Sequence, residues 1–308
     1  MAVDIAWQKN IHSDGTLDAS AFEEAGAKSL THGKSSPMNC FQTAMRSAFL
    51  VLLLAAPAAA ANDRGAIAEG VKKFPRNAHG DYQLGGAYPP PRDVNLVVRD
   101  SKEKPLTGAF NICYVNGFQS QPDEAWPLEL LVHDGQGKLL ADPNWPDEYL
   151  LNISSEDRRK AIFDRLNRSI AACAKSGFDA VEFDNLDSFT RSHAALTRQD
   201  AVDFAVLLVA AAHKMGLAAG QKNTPQLGAA EKKRVGFDFA VAEECQRYNE
   251  CWLYEKYYGR QVIDIEYVGD LGGPVAAICA DPSIPAITII RDRPLGPRTA
   301  AGYFYHHC

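Results

Sequence analysis

The sequence has no excess of positive charge and no long run of basic residues. Its 308 residues carry 32 lysines and arginines against 38 aspartates and glutamates, which gives a net charge of -6. Nucleic acids and anionic membrane surfaces attract basic patches, so this balance argues against both as partners. The G-x-G-x-x-G and P-loop motifs are also missing. Their absence argues against the nucleotides that open parallel sheets bind, and we expect no cofactor.

Long apolar runs are missing too, apart from one run near the N-terminus. It reads MRSAFLVLLLAAPAAAAND and combines Arg46, about fourteen apolar residues and an A-x-A arrangement at Ala58 and Ala60. This is the pattern of a secretory signal peptide, and the run is short for a membrane span. We therefore expect a secreted protein with no membrane attachment in its mature form; a cytosolic tail before a signal anchor is the alternative. The predicted segments are a non-native or disordered extension (1–37), a signal peptide (38–61), a short linker (62–78) and one domain (79–308).

Export changes what the seven cysteines indicate. Cys40 would be removed with the signal peptide, and the even number that remains favours three disulfides in an oxidising compartment. Fifteen connectivities are possible. Cys245 and Cys251 are close enough to close a small loop. The other pairs would be Cys113 with Cys173 and Cys279 with Cys308. A zinc site at CQRYNEC would need a second ligand pair of matching spacing, which the sequence lacks, so we expect no metal.

Short β-rich runs alternate with helical ones from residue 80 onward. The eight strand candidates are DYQLGGAY, NLVVRD, FNICYVNGF, DAVEFDN, LAAGQKN, DFAVAEE, VIDIEYV and AITIIRD. Amphipathic helices are predicted over 155–176, with Ser154 and Asp157 as a capping box, and over 198–215, with Thr197 and Asp200 at the start. Strict alternation implies parallel strands joined by crossover helices, and eight units predict a closed TIM-type (β/α)8 barrel of the α/β class.

Acidic residues stand near the ends of three of these strands. In AVEFD, Val181 and Phe183 suit the helix layer, so Glu182 and Asp184 should face the barrel axis. The same reasoning turns Asp264 and Glu266 inward on the seventh strand. On the sixth strand, Glu243 and Glu244 point opposite ways, and Asn116, Lys222 and Asn223 add polar groups at other strand ends.

Active sites of such barrels lie at the carboxyl ends of the strands. Two carboxylates facing each other across a sugar are what glycoside hydrolysis needs: one protonates the leaving oxygen, and the other attacks the sugar or activates water. A structural ion network around Lys222 and Arg191 is the competing interpretation. Three acidic strand ends in one barrel favour a functional site.

Several blocks of the sequence resemble those of glycoside hydrolase family 114, the secreted endo-α-1,4-polygalactosaminidases. They are DYQLGGAYPPP, FNICYVNGFQSQP, GFDAVEFDNLDSFTRS, AAGQKN, GFDFAVAEECQRYNEC and IEYV. The resemblance spans residues 79–308 and implies a (β/α)8 barrel with a pair of catalytic acids. The aspartate of the family's D-N-x-D block corresponds to Asp184, and the glutamate before its cysteine block to Glu243. Members often carry Asn-Glu-Gln-Cys where this chain has Ala-Glu-Glu-Cys, which leaves Glu244 as an alternative to Glu243.

The resemblance implies a cationic galactosamine-containing polysaccharide as the partner, and the expected positions near the barrel mouth suggest a role for each further candidate residue. By analogy with other α-specific barrels, Asp184 would be the nucleophile and Glu243 the general acid/base of a two-carboxylate, retaining mechanism; an inverting mechanism would need the two carboxyl groups farther apart. Residues expected to bind or orient the sugar are Glu182, Asp187, Asn116, Lys222, Glu244, Glu266, Tyr267 and Trp145. Two other interpretations are a non-catalytic carbohydrate-binding or exopolysaccharide-assembly barrel and a metal-dependent hydrolase that uses Asp184, Asp187 and His193.

Overall fold

The computed structural model describes residues 70–122 and 124–308. The predicted extension and signal peptide, residues 1–37 and 38–61, lie outside the described residues. The strands are β1 Gly80–Gln83, β2 Leu96–Asp100, β3 Phe110–Asn116, β4 Ala180–Asp184, β5 Ala218–Lys222, β6 Phe239–Glu243, β7 Val262–Tyr267, β8 Ile287–Arg291 and β9 Tyr305–His307. The helices are α1 Glu156–Ser176, α2 Arg198–Lys214, α3 Ala229–Val235, α4 Cys251–Tyr258 and α5 Val275–Cys279. Within this part of the chain, no helix is both long and apolar enough to cross a bilayer.

The sheet is a nearly closed barrel of the TIM type, which confirms the predicted fold class. Strands β1 to β8 are parallel and pair in sequence order. Helices cross over between the later strands, whereas the fully described connections from β1 to β2 and from β2 to β3 contain none. A ninth strand, β9, pairs with β8 in antiparallel orientation. The sequence analysis missed β9, since a three-residue strand leaves too short a pattern to detect.

Strand β9 helps to close the seam between the first and last parallel strands. Across this seam the strand pairing of the described residues has no β1–β8 ladder. Instead, the Tyr305 hydroxyl on β9 donates to the carbonyl oxygen of Gly80 on β1, at 2.9 Å. The buried Arg291 of β8 pairs with Asp81 at 3.1 Å and also donates to the carbonyl oxygen of Tyr82. Side chains therefore make the contacts that a backbone ladder makes elsewhere in the sheet.

The strand faces divide the core in two. Inward-facing apolar residues fill the lower barrel, including Ala180 on β4, Phe239 and Val241 on β6, and Ile263 and Ile265 on β7. The opposite faces pack against the helices in a second cluster. Because both faces of each strand are buried, polar side chains on the inner face are found mainly at the carboxyl ends of the strands, where the barrel opens to solvent.

The described part of the predicted linker, residues 70–78, belongs to the barrel and not to a linker. Val71, Phe74 and Ala78 are buried within the inner cluster. The Phe74 ring stacks on Phe239 with centroids 4.7 Å apart and meets Phe110 edge-on. Burying an aromatic ring stabilises the fold by about 2 to 3 kcal/mol. This segment therefore contributes to the core, and it closes the barrel at the amino ends of the strands.

The two long helices follow the predicted periodicity. Helix α1 buries Ile162, Leu166, Ile170 and Cys173, as expected, and α2 begins with the predicted Thr197–Asp200 capping box. The predicted start of α1 was off by one residue, because Ser155 accepts the hydrogen bond from the Arg158 backbone nitrogen. Ser154 instead donates to Asn152.

Three disulfides are present; they confirm the Cys245–Cys251 pair expected from its spacing, and the two remaining pairs are those named as candidates. They join Cys113 to Cys173, Cys245 to Cys251 and Cys279 to Cys308. The first ties β3 to α1, and the third fixes the residue that follows β9. The second closes the loop directly after β6. Each cross-link stabilises a fold by about 2 to 4 kcal/mol.

Candidate active site

A pocket opens at the carboxyl ends of the parallel strands. The residues that line it from the strands are Asp100, Tyr114, Asp184, Lys222, Glu243 and Tyr267, one from each of β2 to β7. Loops add Trp145, Glu148, Asn185 and Arg293 to the wall. The predicted pair, Asp184 and Glu243, is thus brought into one cavity from strands that are not neighbours.

Three strands of the pocket are followed by a residue in the left-handed backbone conformation. The residues immediately after Asp184, Lys222 and Glu243 all have left-handed backbones, with φ of 62° at Asn185, 48° at Asn223 and 60° at Glu244. Asparagine tolerates this region, but glutamate adopts it rarely and at a cost of about 1 kcal/mol or more. The left-handed residue turns the backbone away from the barrel axis directly after the strand. The last inward side chain of each of these strands therefore remains at the pocket.

The Lys222 ammonium group occupies the centre of the acidic cluster. It lies 3.3 Å from Glu182, 3.4 Å from Asp184 and 3.4 Å from Glu243. Burial alone would lower the pKa of Lys222, but the three carboxylates outweigh burial and hold that pKa well above its ordinary value. Lys222 is therefore a permanent cation that lets acids crowd together at the strand ends.

Glu182 forms the floor beneath this cluster. Its carboxylate is completely buried and accepts a hydrogen bond from the Tyr82 hydroxyl at 2.7 Å. Burial raises the pKa of Glu182 to about 7, against the opposing effect of Lys222. The strand alternation correctly turned it inward, but it does not line the pocket, so it supports Lys222 from below.

Asp184 and Glu243 each accept a hydrogen bond from a tyrosine on a barrel strand. The Tyr114 hydroxyl donates to Asp184 at 2.8 Å, and the Tyr267 hydroxyl donates to Glu243. Asn223 also holds Glu243, donating from its side-chain nitrogen at 3.2 Å and accepting from the Glu243 backbone nitrogen at 2.9 Å. Both carboxylates are therefore fixed in orientation before any ligand enters.

The inward placement of Asp264 and Glu266 was wrong. Ile263, Ile265 and Tyr267 face the barrel interior on β7, so the two acids between them face outward. There, Asp264 accepts from the Cys245 backbone nitrogen at 3.2 Å, and Glu266 accepts from that of Gln246 at 2.9 Å. The loop after β6 exposes backbone N–H groups that need acceptors, and these acids supply them.

The other predicted sugar-binding residues occupy different places. Trp145 and Tyr267 line the pocket. Asp187 pairs with Arg191 at 2.8 Å, and Glu244 with Arg293 at 2.8 Å, and neither acid lines the pocket. Asn116 stands behind the wall and donates to Glu148 at 3.1 Å.

Sequence reasoning missed three charged residues of the pocket. Glu148 and Arg293 lie on loops, where no periodicity marks the direction of a side chain, and Asp100 is the single acid at the end of the strand candidate NLVVRD. The Arg293 guanidinium stacks over the Tyr267 ring at 4.3 Å. The proline-flanked loop around Trp145 was the one sequence signal that pointed toward Glu148.

Two groups of described residues are close enough to hold a metal ion, and neither is at the pocket. One is His79, Asp93 and His307, at the barrel seam. The other includes Cys245 and Cys251, whose disulfide removes the thiolates that a metal would need. Within the part of the chain described, the convergent groups do not include Asp184, Asp187 and His193, so the geometry does not favour the metal-dependent alternative.

Comparison with known proteins decides the family. The model of glycoside-hydrolase family GH114 matches residues 60–308. The chain belongs to family GH114. It is therefore a glycoside hydrolase, and the GH114 region includes every strand of the barrel and every pocket residue named above.

Solved structures resemble this GH114 chain across the barrel. Ega3 from Aspergillus fumigatus, in complex with galactosamine, is 22% identical with a TM-score of 0.62, and the match covers 77% of this chain and 98% of that one. The glycoside hydrolase domain of PelA from Pseudomonas aeruginosa, in its E218A variant, is 15% identical with a TM-score of 0.50. That match covers 72% of this chain and 97% of that one. At these identities the likeness shows a shared fold. A search of curated proteins gives no significant match.

Proposed function

We propose that this protein is a secreted, endo-acting hydrolase of α-1,4-linked galactosamine polymers, with Asp184 as nucleophile and Glu243 as general acid/base. One observation carries the proposal: both carboxylates line one pocket and lie 3.4 Å from the same Lys222 nitrogen. A glycosidic bond placed between them would have an attacking group on one side and a proton donor on the other. The galactosamine bound to Ega3 supports an amino sugar as the substrate unit.

The position of Lys222 also bears on the stereochemistry. Because both carboxylate oxygens lie 3.4 Å from its nitrogen, they cannot be more than twice that distance apart. Retaining enzymes hold their carboxyl groups about 5 to 5.5 Å apart, and inverting ones about 6.5 to 9.5 Å. The bound applies to the two oxygens that face Lys222 and is compatible with the retaining range, so we propose retention through a covalent glycosyl–enzyme intermediate.

The role of Glu243 in preference to Glu244 rests on the directions of the two side chains. Glu243 faces Lys222 and the pocket, whereas Glu244 turns away and forms its ion pair with Arg293. The three disulfides support an oxidising compartment. We propose accordingly that the N-terminal run over residues 38–61 is a signal peptide that directs export.

The decisive experiment is digestion of a partly de-N-acetylated α-1,4-galactosamine polymer by the purified protein, with mass analysis of the products. An endo-acting enzyme releases a ladder of oligosaccharides early, and the Asp184→Asn variant should release none. NMR of the first products should show the α-anomer if the mechanism is retaining. Binding of the polymer without any cleavage would favour a non-catalytic carbohydrate-binding barrel.

A further inference from the structure

We propose that Glu148 is a specificity-determining residue that binds the ammonium group of a galactosamine unit beside the scissile bond. This inference rests on the proposed function and concerns which substituent the same pocket selects at the amino-bearing carbon. Glu148 lines the pocket together with Asp184, Asn185 and Trp145. It lies on the loop after β3 and is not one of the three carboxylates that pair with Lys222.

The charge arrangement of the pocket leaves Glu148 as an available anion. Lys222 is already paired with three carboxylates, and Arg293 is paired with Glu244 at 2.8 Å and with Asp270 at 3.8 Å. The ion pairs formed among the described residues do not include Glu148. Its hydrogen bond from Asn116 comes from a neutral amide at 3.1 Å. An incoming cation would therefore find its partner here without breaking an existing ion pair.

The loop holds this carboxylate in position before substrate arrives. Asp142 forms an ion pair with Arg191 at 2.5 Å and accepts from the Gln119 side chain at 2.7 Å. The Asp142 backbone nitrogen in turn donates to the carbonyl oxygen of Glu148 at 2.8 Å. Two further backbone and side-chain bonds join Ser120 to Tyr149, the residue after Glu148. A preorganised partner loses little entropy on binding, so more of the interaction appears as affinity.

The electrostatic environment makes Glu148 responsive to a cation. Burial, reinforced by the charges of Asp184 and Asp142, raises the pKa of Glu148 to about 7 against the opposing effects of the Asn116 hydrogen bond and the Arg191 charge. An ammonium group at hydrogen-bonding distance opposes these effects and stabilises the ionised carboxylate. An N-acetyl group brings no charge and leaves the half-buried carboxylate without its partner, which is the kind of mismatch that produces strong discrimination.

The test compares Glu148→Gln with the wild type on two polymers of matched length, one de-N-acetylated and one N-acetylated. The ratio of kcat/KM for the amino polymer to that for the acetylated polymer should fall about tenfold or more, because a charge-assisted hydrogen bond is lost. Asp147→Asn is the matched control, since it removes a charge from the neighbouring exposed position, outside the pocket. Its ratio should stay within about twofold of the wild type.

The outcomes separate this inference from the function on which it rests. If the wild type cleaves neither polymer, the proposed function fails. If the wild type prefers the amino polymer and Glu148→Gln keeps that preference, the function stands and the role of Glu148 is overturned.

Binding of monosaccharides supplies a readout that does not depend on turnover. Galactosamine and galactose should be titrated into the wild type and Glu148→Gln by calorimetry between about pH 5.5 and 7, near the pKa of Glu148. In the wild type, galactosamine affinity relative to galactose should increase with pH as the carboxyl group ionises. Glu148→Gln should lose that increase. Equal weakening of both sugars would mean that Glu148 only braces Asn116, and would contradict the proposal.

Discussion

The acids at the ends of β4 and β6 and the acids of β7 look alike in the sequence but occupy opposite faces of the barrel wall. Glu182, Asp184 and Glu243 point inward and share the Lys222 ammonium. Asp264 and Glu266 point outward and accept from the backbone of the loop that follows β6. The first set is compensated by a cation at a cavity, whereas the second is compensated by peptide N–H groups in a packed layer.

The difference shows what an acidic strand end needs in order to be chemically useful. A carboxylate that accepts hydrogen bonds from backbone N–H groups and is covered by protein can fix a loop but cannot reach a substrate. Asp184 and Glu243 remain at a pocket because the chain reverses immediately after them. The outward β7 acids still serve the site indirectly, since the loop that they hold begins directly after Glu243 and Glu244.

The strongest test of the inward acids, Glu182, Asp184 and Glu243, is the substitution Lys222→Met. It keeps the approximate length of the side chain and removes the charge that these acids share. Three carboxylates would then face one another without a cation, so we expect the free energy of unfolding to fall by about 3 to 5 kcal/mol. Hydrolysis should be lost with it. Urea unfolding measures the first effect. Lys72→Met is the control, because Lys72 pairs with Asp179 from an exposed position and should cost less than about 1 kcal/mol. Equal losses for the two variants would contradict the central role of Lys222.

Neutralising one of the outward acids, Asp264 or Glu266, should raise the free energy of unfolding, whereas removing the Lys222 charge should lower it. Burial raises the pKa values of both Asp264 and Glu266, and the charge of Glu266 reinforces the shift of the Asp264 pKa. With a pKa that is higher in the folded than in the unfolded state, the folded protein binds more protons. Its stability therefore falls as the pH rises above the unfolded value of about 4.

Glu266→Gln should remove part of that loss, because the amide oxygen can still accept from Gln246. We expect the change that Glu266→Gln makes in the free energy of unfolding to be about 1 to 2 kcal/mol more stabilising at pH 8 than at pH 5. The variant should keep kcat within about fivefold of the wild type. Thermal unfolding at the two pH values, with kcat measured in parallel, checks this. A variant that is inactive yet stable would place Glu266 at the site after all.

The smallest expected effect is that of salt on substrate capture. Asp100, Glu148, Asp184 and Glu243 line the pocket, whereas its cations Lys222 and Arg293 are already paired with acids. A cationic polymer should be drawn to such a pocket, and salt screens the attraction, with a Debye length of about 10 Å at 0.1 M. We expect kcat/KM to fall about twofold to fivefold between 0.05 and 0.5 M salt. Re-acetylating the polymer should weaken that dependence, and a salt-insensitive rate would contradict electrostatic capture.

Sequence reasoning predicted the barrel well and its strand faces unevenly. On β4, Val181 and Phe183 are bulkier than Ala180, which shares the inner face with Glu182. This difference in size allowed the inward face of β4 to be predicted. On β7, Ile263 and Ile265 suit either layer, because a barrel buries both faces of a strand. Alternation then gives two sets of residues without saying which set faces inward. Tyr267, which lines the pocket, shares its face with the isoleucines and was the available clue.

The loop residues were beyond the reach of pattern reasoning for a different reason. Glu148 and Arg293 reach the pocket through the fold of long connections, in which side-chain direction follows no period. Among the disulfides, only the Cys245–Cys251 pair was indicated by the sequence, because its two cysteines are six residues apart; the other two pairs depend on tertiary contacts. Strand β9 and the barrel-closing residues Val71 and Phe74 depend on tertiary contacts that short segments do not reveal.

The central claim is that Asp184 and Glu243 form the catalytic pair, and comparison of kcat between Glu243→Gln and Glu244→Gln tests it most directly. The two residues are adjacent and both substitutions are nearly isosteric, so differences in folding are kept small. We predict that Glu243→Gln lowers kcat about 10³-fold or more, as Asp184→Asn should, with unchanged thermal unfolding. Glu244→Gln should lower it by less than about tenfold, through the loosened Arg293. An active Glu243→Gln beside an inactive Glu244→Gln would contradict the account.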